Sequence, residues 1–177
     1  MISCSQNEFE DMWKLYNTIP PTQNPMNKKT FIKRKQITFG SYYSFGRQTS
    51  LQYTGDYPTL VKRVLEHIDD ERYNVVHTNF YDGGEAGLAP HSDDETQMLP
   101  GMPIYSFTFL SEPGNQRGFQ IYEKQTKKLI TTLMLDHGDM LKMKPGMQQK
   151  YMHGVKKTAA KKFANLRRIN MTVRAWK

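Results

Sequence analysis

Residues 168–174 read RINMTVR, and polar and apolar side chains alternate along the whole stretch. Successive side chains of a β-strand point to opposite faces of its sheet. The pattern therefore predicts a strand with four polar side chains on one face: Arg168, Asn170, Thr172 and Arg174. The apolar residues between them then face a hydrophobic core. Either the polar face is solvated, as in an ordinary amphipathic strand, or it lines a binding site.

The polar face of this strand has the chemistry of a site for a dicarboxylate. A guanidinium pairs bidentately with a carboxylate, and an amide and a hydroxyl supply further hydrogen bonds. Arg168 and Arg174 are six residues apart, about 20 Å along an extended strand, so the two arginines serve different ends of the site. We therefore expect a dicarboxylate such as 2-oxoglutarate to bind here.

A second motif has the chemistry of a metal site. His91 and Asp93 are two residues apart, which places both side chains on one side of a strand or turn. A distant histidine, His153, can complete a set of two imidazoles and one carboxylate. Such a set holds non-haem Fe(II) and leaves half of its coordination sphere open for a cosubstrate and O2. The alternatives are a His-x-Asp pair that arises by chance and a His153 that merely ends a strand in a basic loop.

The rest of the chain is predicted to be rich in short strands. From Val75 onward, turn residues separate strands at 75–81, 104–110, 118–122, 129–135, 139–144, 150–155 and 168–174. Before them we predict helices at 8–16 and 58–69, strands at 36–39 and 51–54, and a linker at Pro20, Pro21 and Pro25. This order favours a mainly β fold with flanking helices (α+β), packed as a sandwich or jelly roll.

Charge is distributed unevenly along the 177 residues, whose net charge is +8. After Asp139 there are eleven lysines and arginines and no acidic residue, and a second basic group lies at 28–35. Such groups favour a polyanionic partner, although a solubilising surface is the alternative. Aromatic residues interleaved from Phe39 to Tyr57 favour nucleic-acid bases, which stack on aromatic rings.

Composition also bears on the cellular compartment. The single cysteine, Cys4, excludes an internal disulfide and fits a reducing compartment. The first residues lack a secretory signal, and no run of about eighteen apolar residues is present. We therefore expect an intracellular protein, nuclear or cytoplasmic, that does not enter a membrane and is a monomer.

Taken together, these motifs resemble the AlkB family of Fe(II)- and 2-oxoglutarate-dependent dioxygenases. The resemblance runs from about Arg34 to Trp176. Seven segments carry it in order: RKQITFG (34–40), NFY (79–81), HSDDE (91–95), LPGMPI (99–104), HGD (137–139), YMHGV (151–155) and RINMTVR (168–174). The HSDDE form is closer to the animal DNA-repair and RNA-repair members than to the bacterial founder.

The resemblance implies a double-stranded β-helix, which is a form of jelly roll, at 31–177, preceded by an N-terminal extension at 1–30. It implies that Fe(II) binds His91, Asp93 and His153 and that O2 reacts there. Six residues are implied to contact 2-oxoglutarate: Asn79, Tyr81, Arg168, Asn170, Thr172 and Arg174. Among them, Arg168 is assigned to the distal carboxylate and Arg174 to the metal-proximal end.

The implied activity is oxidative demethylation of nucleic-acid bases, in repair of alkylation damage. The substrates would be 1-methyladenine and 3-methylcytosine in methylated DNA or RNA. The resemblance places Asp94 and Glu95 beside a flipped base and lets Tyr53 stack on it. Two alternatives stay open, namely the same oxygenase chemistry on a protein or small molecule, and a non-catalytic jelly roll that binds nucleic acid.

Overall fold

The computed structural model describes residues 1–24, 27–45, 48–159 and 161–177. Pro25 of the predicted linker and the side chains of Lys28 and Lys162 in the basic groups lie outside the described residues. The helices are α1 (Gln6–Thr18), α2 (Thr59–Ile68), α3 (Met147–Lys150) and a 3-10 turn at Lys161–Phe163. The strands are β1 (Gln23–Asn24), β2 (Asn27–Phe31), β3 (Arg34–Gly40), β4 (Ser44–Phe45), β5 (Gln48–Thr49), β6 (Tyr73–Asp82), β7 (Leu88–His91), β8 (Ile104–Leu110), β9 (Arg117–Glu123), β10 (Leu129–Leu135), β11 (Met140–Met143), β12 (Tyr151–Val155) and β13 (Arg167–Ala175).

Two antiparallel sheets form the body of the molecule. The larger has the strand order β11-β8-β13-β6-β3, and the smaller has the order β10-β9-β12-β7. Apart from β9 and β10, neighbouring strands in these sheets are not consecutive in sequence, so the chain crosses repeatedly from one sheet to the other. The predicted mainly β class with flanking helices is confirmed. Among the described residues, no helix is long and apolar enough to cross a membrane.

One face of the larger sheet packs against the two long helices. The apolar residues of β13, Ile169, Met171 and Val173, are fully buried there. They join one hydrophobic cluster with the apolar faces of α1 and α2. Burying a side chain of this size stabilises the fold by about 1.5–3 kcal/mol. The core on this face therefore fixes which way β13 presents its polar side chains.

The opposite face of the larger sheet is polar and yet buried. Residues paired in an antiparallel register point to the same side of the sheet. Three rows across β3, β6 and β13 thus share this face: Arg34–Tyr81–Arg168, Gln36–Asn79–Asn170 and Thr38–His77–Thr172. The polar residues of β13 are buried, so the solvated-face alternative for RINMTVR is wrong.

Helix α1 lies in the segment predicted as an N-terminal extension. It begins with a capping box, in which Ser5 and Glu8 bond each other's backbone amides. Its buried residues Phe9, Met12 and Trp13 belong to the same cluster as β13. This part of the extension is therefore packed against the large sheet.

Two local predictions differ from the structure. Strand β7 was not predicted, because Pro90 and the glycines before it oppose a strand; β7 lies at a sheet edge, where proline is tolerated. The predicted strand at 51–54 is reduced to a single bridge between Thr38 and Gln52. Tyr53 instead turns toward Phe39 on the helix-covered side of the sheet, with 4.9 Å between the ring centroids.

Candidate metal centre and substrate cavity

A cavity of about 830 Å³ opens between the two sheets, and we call it the inter-sheet cavity. The larger sheet contributes the polar face described above. The smaller sheet contributes His153 from β12 and Phe119 from β9, and the loop after β7 contributes residues 92–97. The cavity therefore brings the three separate motifs of the sequence together in one place.

Three metal-ligand side chains meet on the wall of the inter-sheet cavity. His91 and His153 are directly paired across β7 and β12, and Asp93 follows two residues after His91. Asp93 Oδ1 lies 3.3 Å from His91 Nε2, and Asp93 Oδ2 lies 3.8 Å from His153 Nε2. One ligand atom from each residue lies within 4.8 Å of the others. Two imidazole nitrogens and one carboxylate are a donor set suited to Fe(II).

Asp93 carries a negative charge in a buried position. Its side chain is 5% exposed, and Arg174 Nη2 donates to its Oδ2 at 2.7 Å. Burial alone would raise the pKa of Asp93, but Arg174 and the two histidines outweigh it and hold that pKa well below its usual range. Asp93 is therefore anionic at neutral pH, and Arg174 lies beside this candidate metal ligand.

The two histidines differ in their protonation. Burial lowers the pKa of His153 to about 4, so its imidazole is neutral and has a lone pair for a metal. Burial also disfavours the charged form of His91, but the bond to the Asp93 carboxylate outweighs it and raises the pKa of His91. A metal cation at this position would compete with the proton on His91.

Arg168 is a buried cation with unused donors. It is 1% exposed and is not among the residues that line the inter-sheet cavity; it lies 4.9 Å from the centre of the ring of Tyr81, which does line the cavity. Its Nη2 donates to Thr108 Oγ1 at 3.1 Å, whereas Nε and Nη1 have no hydrogen-bond partner of good geometry in the part of the chain that the structure describes. Burying a cation whose N–H groups lack hydrogen-bond partners costs free energy unless an anion pairs with it. The position therefore suits a ligand carboxylate.

Asn79 and Tyr81 line the cavity from β6, where they share one face of the strand. Asn79 Oδ1 accepts a bond from Gln36 Nε2 at 3.0 Å and a shorter one from Arg34 Nη1. Arg34 also lines the cavity, and its Nε has no partner within the described ranges. Sequence analysis gave Arg34 no role, because only the strand register places it beside Tyr81.

Asn170 and Thr172 also line the cavity, but their donors are used within the protein. Asn170 Nδ2 donates to Ser106 Oγ at 2.8 Å and to the Phe107 carbonyl at 2.9 Å. Thr172 Oγ1 donates to Asn170 Oδ1 at 3.4 Å. These bonds therefore stiffen the cavity wall. The Thr172 hydroxyl oxygen can still accept a hydrogen bond from a ligand.

Glu95 and Tyr43 form a pair at the same wall. The Tyr43 hydroxyl donates to Glu95 Oε1 at 3.1 Å, while Glu95 Oε2 is buried and has no partner among the described residues. Burial raises the pKa of Glu95. Tyr43 is 2% exposed, and its ring lies 5.0 Å from the Arg174 guanidinium and 5.0 Å from Trp176. Tyr43 was missed because the aromatic run that contains it has no strand periodicity.

The other two residues predicted to contact a base, Asp94 and Tyr53, are engaged elsewhere in the protein. Asp94 lines the cavity but is exposed, and it forms an ion pair with Lys124 at 2.7 Å. Tyr53 is not among the residues that line the cavity, since it packs on Phe39 and its hydroxyl donates to the Asp56 carbonyl at 3.2 Å. This corrects the prediction that Tyr53 stacks on a base: the tyrosine beside Glu95 is Tyr43.

Comparisons with known proteins agree with this geometry. A family model described as the 2OG-Fe(II) oxygenase superfamily matches residues 7–174. The protein named DNA oxidative demethylase ALKBH2 from Mus musculus is 29% identical over 161 residues, which cover 81% of this chain and 62% of that protein. The protein of the same name from Homo sapiens is 28% identical over 156 residues, covering 81% and 56%. This chain thus spans little more than half the length of these relatives.

One solved structure shares the architecture. It is a prolyl hydroxylase from Trichoplax adhaerens in complex with a peptide fragment of the hypoxia inducible factor oxygen degradation domain. The two align with a TM-score of 0.53 at 13% identity, over 96% of this chain and 78% of the other. At this identity the likeness concerns the fold alone, and it confirms the predicted jelly roll.

Proposed function

This chain belongs to the 2OG-Fe(II) oxygenase superfamily, as an AlkB-family member, and from that premise we propose that it removes N-linked methyl groups from nucleic-acid bases by oxidation. One observation carries the proposal. The His91, Asp93 and His153 ligand atoms converge in a cavity that Tyr81 also lines, and beside Tyr81 lies the buried Arg168, two of whose donors have no partner among the described residues. A metal, a dicarboxylate and a base would each find matching groups there.

The residues present fit Fe(II) and 2-oxoglutarate. His91, Asp93 and His153 would hold the metal, since His153 is neutral and Asp93 is anionic at neutral pH, and a bound cation would displace the proton on His91. When bound, iron with O2 and 2-oxoglutarate supplies the oxidation of the methyl C–H bond, which yields succinate, CO2 and a hydroxylated methyl group that leaves as formaldehyde. Arg174 neutralises Asp93 and keeps its carboxylate oriented.

The larger sheet would bind the cosubstrate. Arg168 receives the distal carboxylate through Nε and Nη1, the two donors without a partner among the described residues. Arg174 serves the metal-proximal end, where it already contacts Asp93. Asn79, Tyr81, Asn170 and Thr172 line the path between the two arginines and exclude water from it.

Glu95 would select the base. Its buried Oε2 can accept a hydrogen bond from the exocyclic amine of 1-methyladenine or 3-methylcytosine, while Tyr43 holds the other oxygen. Both lesions are cationic, which a neighbouring carboxylate favours. Asp94 also lines the cavity, where its ion pair with Lys124 offsets its negative charge. The base must leave its stack to enter, which costs least in single-stranded substrate.

The proposal is tested on short oligonucleotides that carry either lesion, as single-stranded and duplex DNA and RNA, with iron, 2-oxoglutarate and ascorbate. Mass spectrometry should record loss of the methyl group, and formaldehyde should form in equal amount. Asp93→Ala should abolish turnover and metal binding, whereas Asp11→Ala, at an exposed carboxylate on α1, should change neither.

Two other outcomes identify the alternatives. Turnover of 2-oxoglutarate without demethylation of any oligonucleotide would replace the nucleic-acid substrate by a protein or small molecule. Binding of oligonucleotides without any turnover of 2-oxoglutarate would leave a non-catalytic jelly roll.

A further inference from the structure

The loop at 92–94, which carries the candidate metal ligand Asp93, is hydrogen-bonded to the segment that leads into β12. Ser92 Oγ donates to the Tyr151 carbonyl at 2.9 Å. The backbone N–H of Asp93 donates to Gln148 Oε1 at 3.0 Å. We call these two bonds the clasp. Because β12 continues from Tyr151 to His153, the clasp joins the carboxylate ligand to the strand that carries the third ligand.

A third contact reinforces the clasp from outside. Lys124 Nζ donates to Asp94 Oδ2 at 2.7 Å and to the Gln148 carbonyl at 3.1 Å. Three successive residues, 92–94, are thereby tied to residues 148–151. These contacts hold the ligand loop against the segment that leads into β12.

Gln148 is the buried member of the clasp. It is 6% exposed and lies in α3, a single turn that begins after Gly146, whose φ of 85° favours glycine. Its Nε2 donates to Met143 Sδ at 3.5 Å, which orients Oε1 toward Asp93. Gln148 lies beside the second, smaller cavity of 310 Å³ and is not among the residues that line the inter-sheet cavity. It therefore does not enter the metal site, and it reaches that site through the bond to Asp93 and the contact with Met143, which lines the inter-sheet cavity.

We infer that Gln148 is a positioning residue for the metal, because it fixes the backbone of Asp93 while Arg174 fixes the Asp93 carboxylate. The inference rests on the metal site proposed above. Partners that orient a metal ligand typically change metal affinity about 10–100-fold when they are lost. Without the Gln148 acceptor, the buried Asp93 N–H would also be left unpaired, and the loop would shift to satisfy it.

The test replaces Gln148 by methionine, which has a similar length and volume but is only a weak acceptor. The matched control is Gln149→Met, because Gln149 is the exposed neighbour in the same turn. Binding of Mn(II) to the metal-free proteins is measured from the loss of the EPR signal of free Mn(II), together with thermal unfolding. We expect Gln148→Met to bind Mn(II) about 10-fold more weakly and Gln149→Met to match the unchanged protein.

If Gln148 has only a structural role, Gln148→Met should have a lower melting temperature but the same Mn(II) affinity in its folded form. This result would overturn the inference and leave the proposed metal site standing. A failure of the unchanged protein to bind Mn(II) would overturn the proposed metal site and the inference with it. If Gln148→Met does not fold, the test is hydrogen exchange in the unchanged metal-free protein. The Asp93 amide should be strongly protected from exchange. Fast exchange of this amide would rule the clasp out.

Discussion

At the level of single residues, the inter-sheet cavity holds charged groups that the protein does not fully satisfy. On its wall, Arg34 has one unused donor and Glu95 has one unused acceptor, and Arg168, beside the Tyr81 ring that lines the cavity, has two unused donors; all are buried among the described residues. Natural proteins pair almost all such atoms, because each unpaired one costs about 1–3 kcal/mol or more. Unpaired atoms around one cavity are therefore best explained by ligands that complete them.

Arg168→Met should weaken 2-oxoglutarate binding far more than nucleic-acid binding. Losing a charge-assisted contact to a desolvated carboxylate costs about 2–5 kcal/mol. The measurement is a cosubstrate titration at saturating methylated oligonucleotide. Arg167→Met is the matched control, because Arg167 is tied to Glu10 on α1 and not to the cavity. If the apparent affinity for 2-oxoglutarate stays the same in Arg168→Met, Arg34 becomes the candidate for the distal carboxylate.

Tyr43→Phe removes only the hydroxyl that orients Glu95. A hydrogen bond to a charged group contributes about 1.5–3 kcal/mol, so kcat/KM for a methylated oligonucleotide should fall about tenfold or more. Turnover of 2-oxoglutarate without substrate should not change, since the triad and Arg168 are untouched. Tyr42→Phe, at the exposed neighbouring tyrosine, serves as the control. Equal losses in both variants would remove Tyr43 from base recognition.

At the level of strands and helices, what the sequence could predict depended on local periodicity. Strands β8 and β10 match the predicted ranges, and β13 extends by one residue at each end, because alternation is a property of a strand alone. Edge strand β7 and the position of Tyr43 depend on contacts between distant segments, which no local pattern records. The cluster of His91, Asp93 and His153 was predicted from the His-x-Asp spacing and the family motifs, whereas Gln148 resembles any polar residue until the Asp93 contact is seen.

The loop between β10 and β11 gives a prediction with a defined pH dependence. Asp136 accepts bonds from the Gly114 amide at 2.8 Å and the His137 amide at 2.7 Å, and these bonds lower the pKa of Asp136. A carboxyl whose folded pKa is depressed stabilises the protein above the unfolded pKa of about 3.9, and that stability is lost as pH falls through the folded value.

Asp136→Asn should therefore destabilise the protein at pH 7 by about 1 kcal/mol after solvent screening, and the difference from the unchanged protein should shrink below about pH 4. Urea unfolding at a series of pH values measures it. Asp11→Asn, at an exposed carboxylate on α1, should change stability by less than about 0.5 kcal/mol at any pH. A loss that is the same in acid and at neutral pH would assign the effect to packing and not to charge.

At the level of the whole molecule, the structure divides the basic C-terminal part of the sequence into two groups. The arginines are used internally: Arg167 pairs with Glu10, Arg168 is buried, and Arg174 pairs with Asp93. The lysines are on the surface, and every one of them after Asp139 whose side chain the structure describes is exposed: Lys142, Lys144, Lys150, Lys156, Lys157, Lys161 and Lys177. Attraction of a polyanion therefore belongs to the lysines, a distinction that charge counting alone could not make.

Binding of a single-stranded methylated oligonucleotide should accordingly fall steeply with salt. If about five of these lysines contact phosphates, the slope of log K against log salt concentration should be roughly −3.5. The affinity for 2-oxoglutarate should change much less, because buried charge pairs are weakly screened. The affinities for the oligonucleotide and for 2-oxoglutarate can be measured over one salt series. The double variant Lys156→Gln and Lys157→Gln should flatten the slope for the oligonucleotide, whereas Lys14→Gln on α1 should not. A flat oligonucleotide curve would make the lysines a solubilising surface and shift the substrate toward a protein or small molecule, while a steep curve for 2-oxoglutarate would contradict the buried site at Arg168.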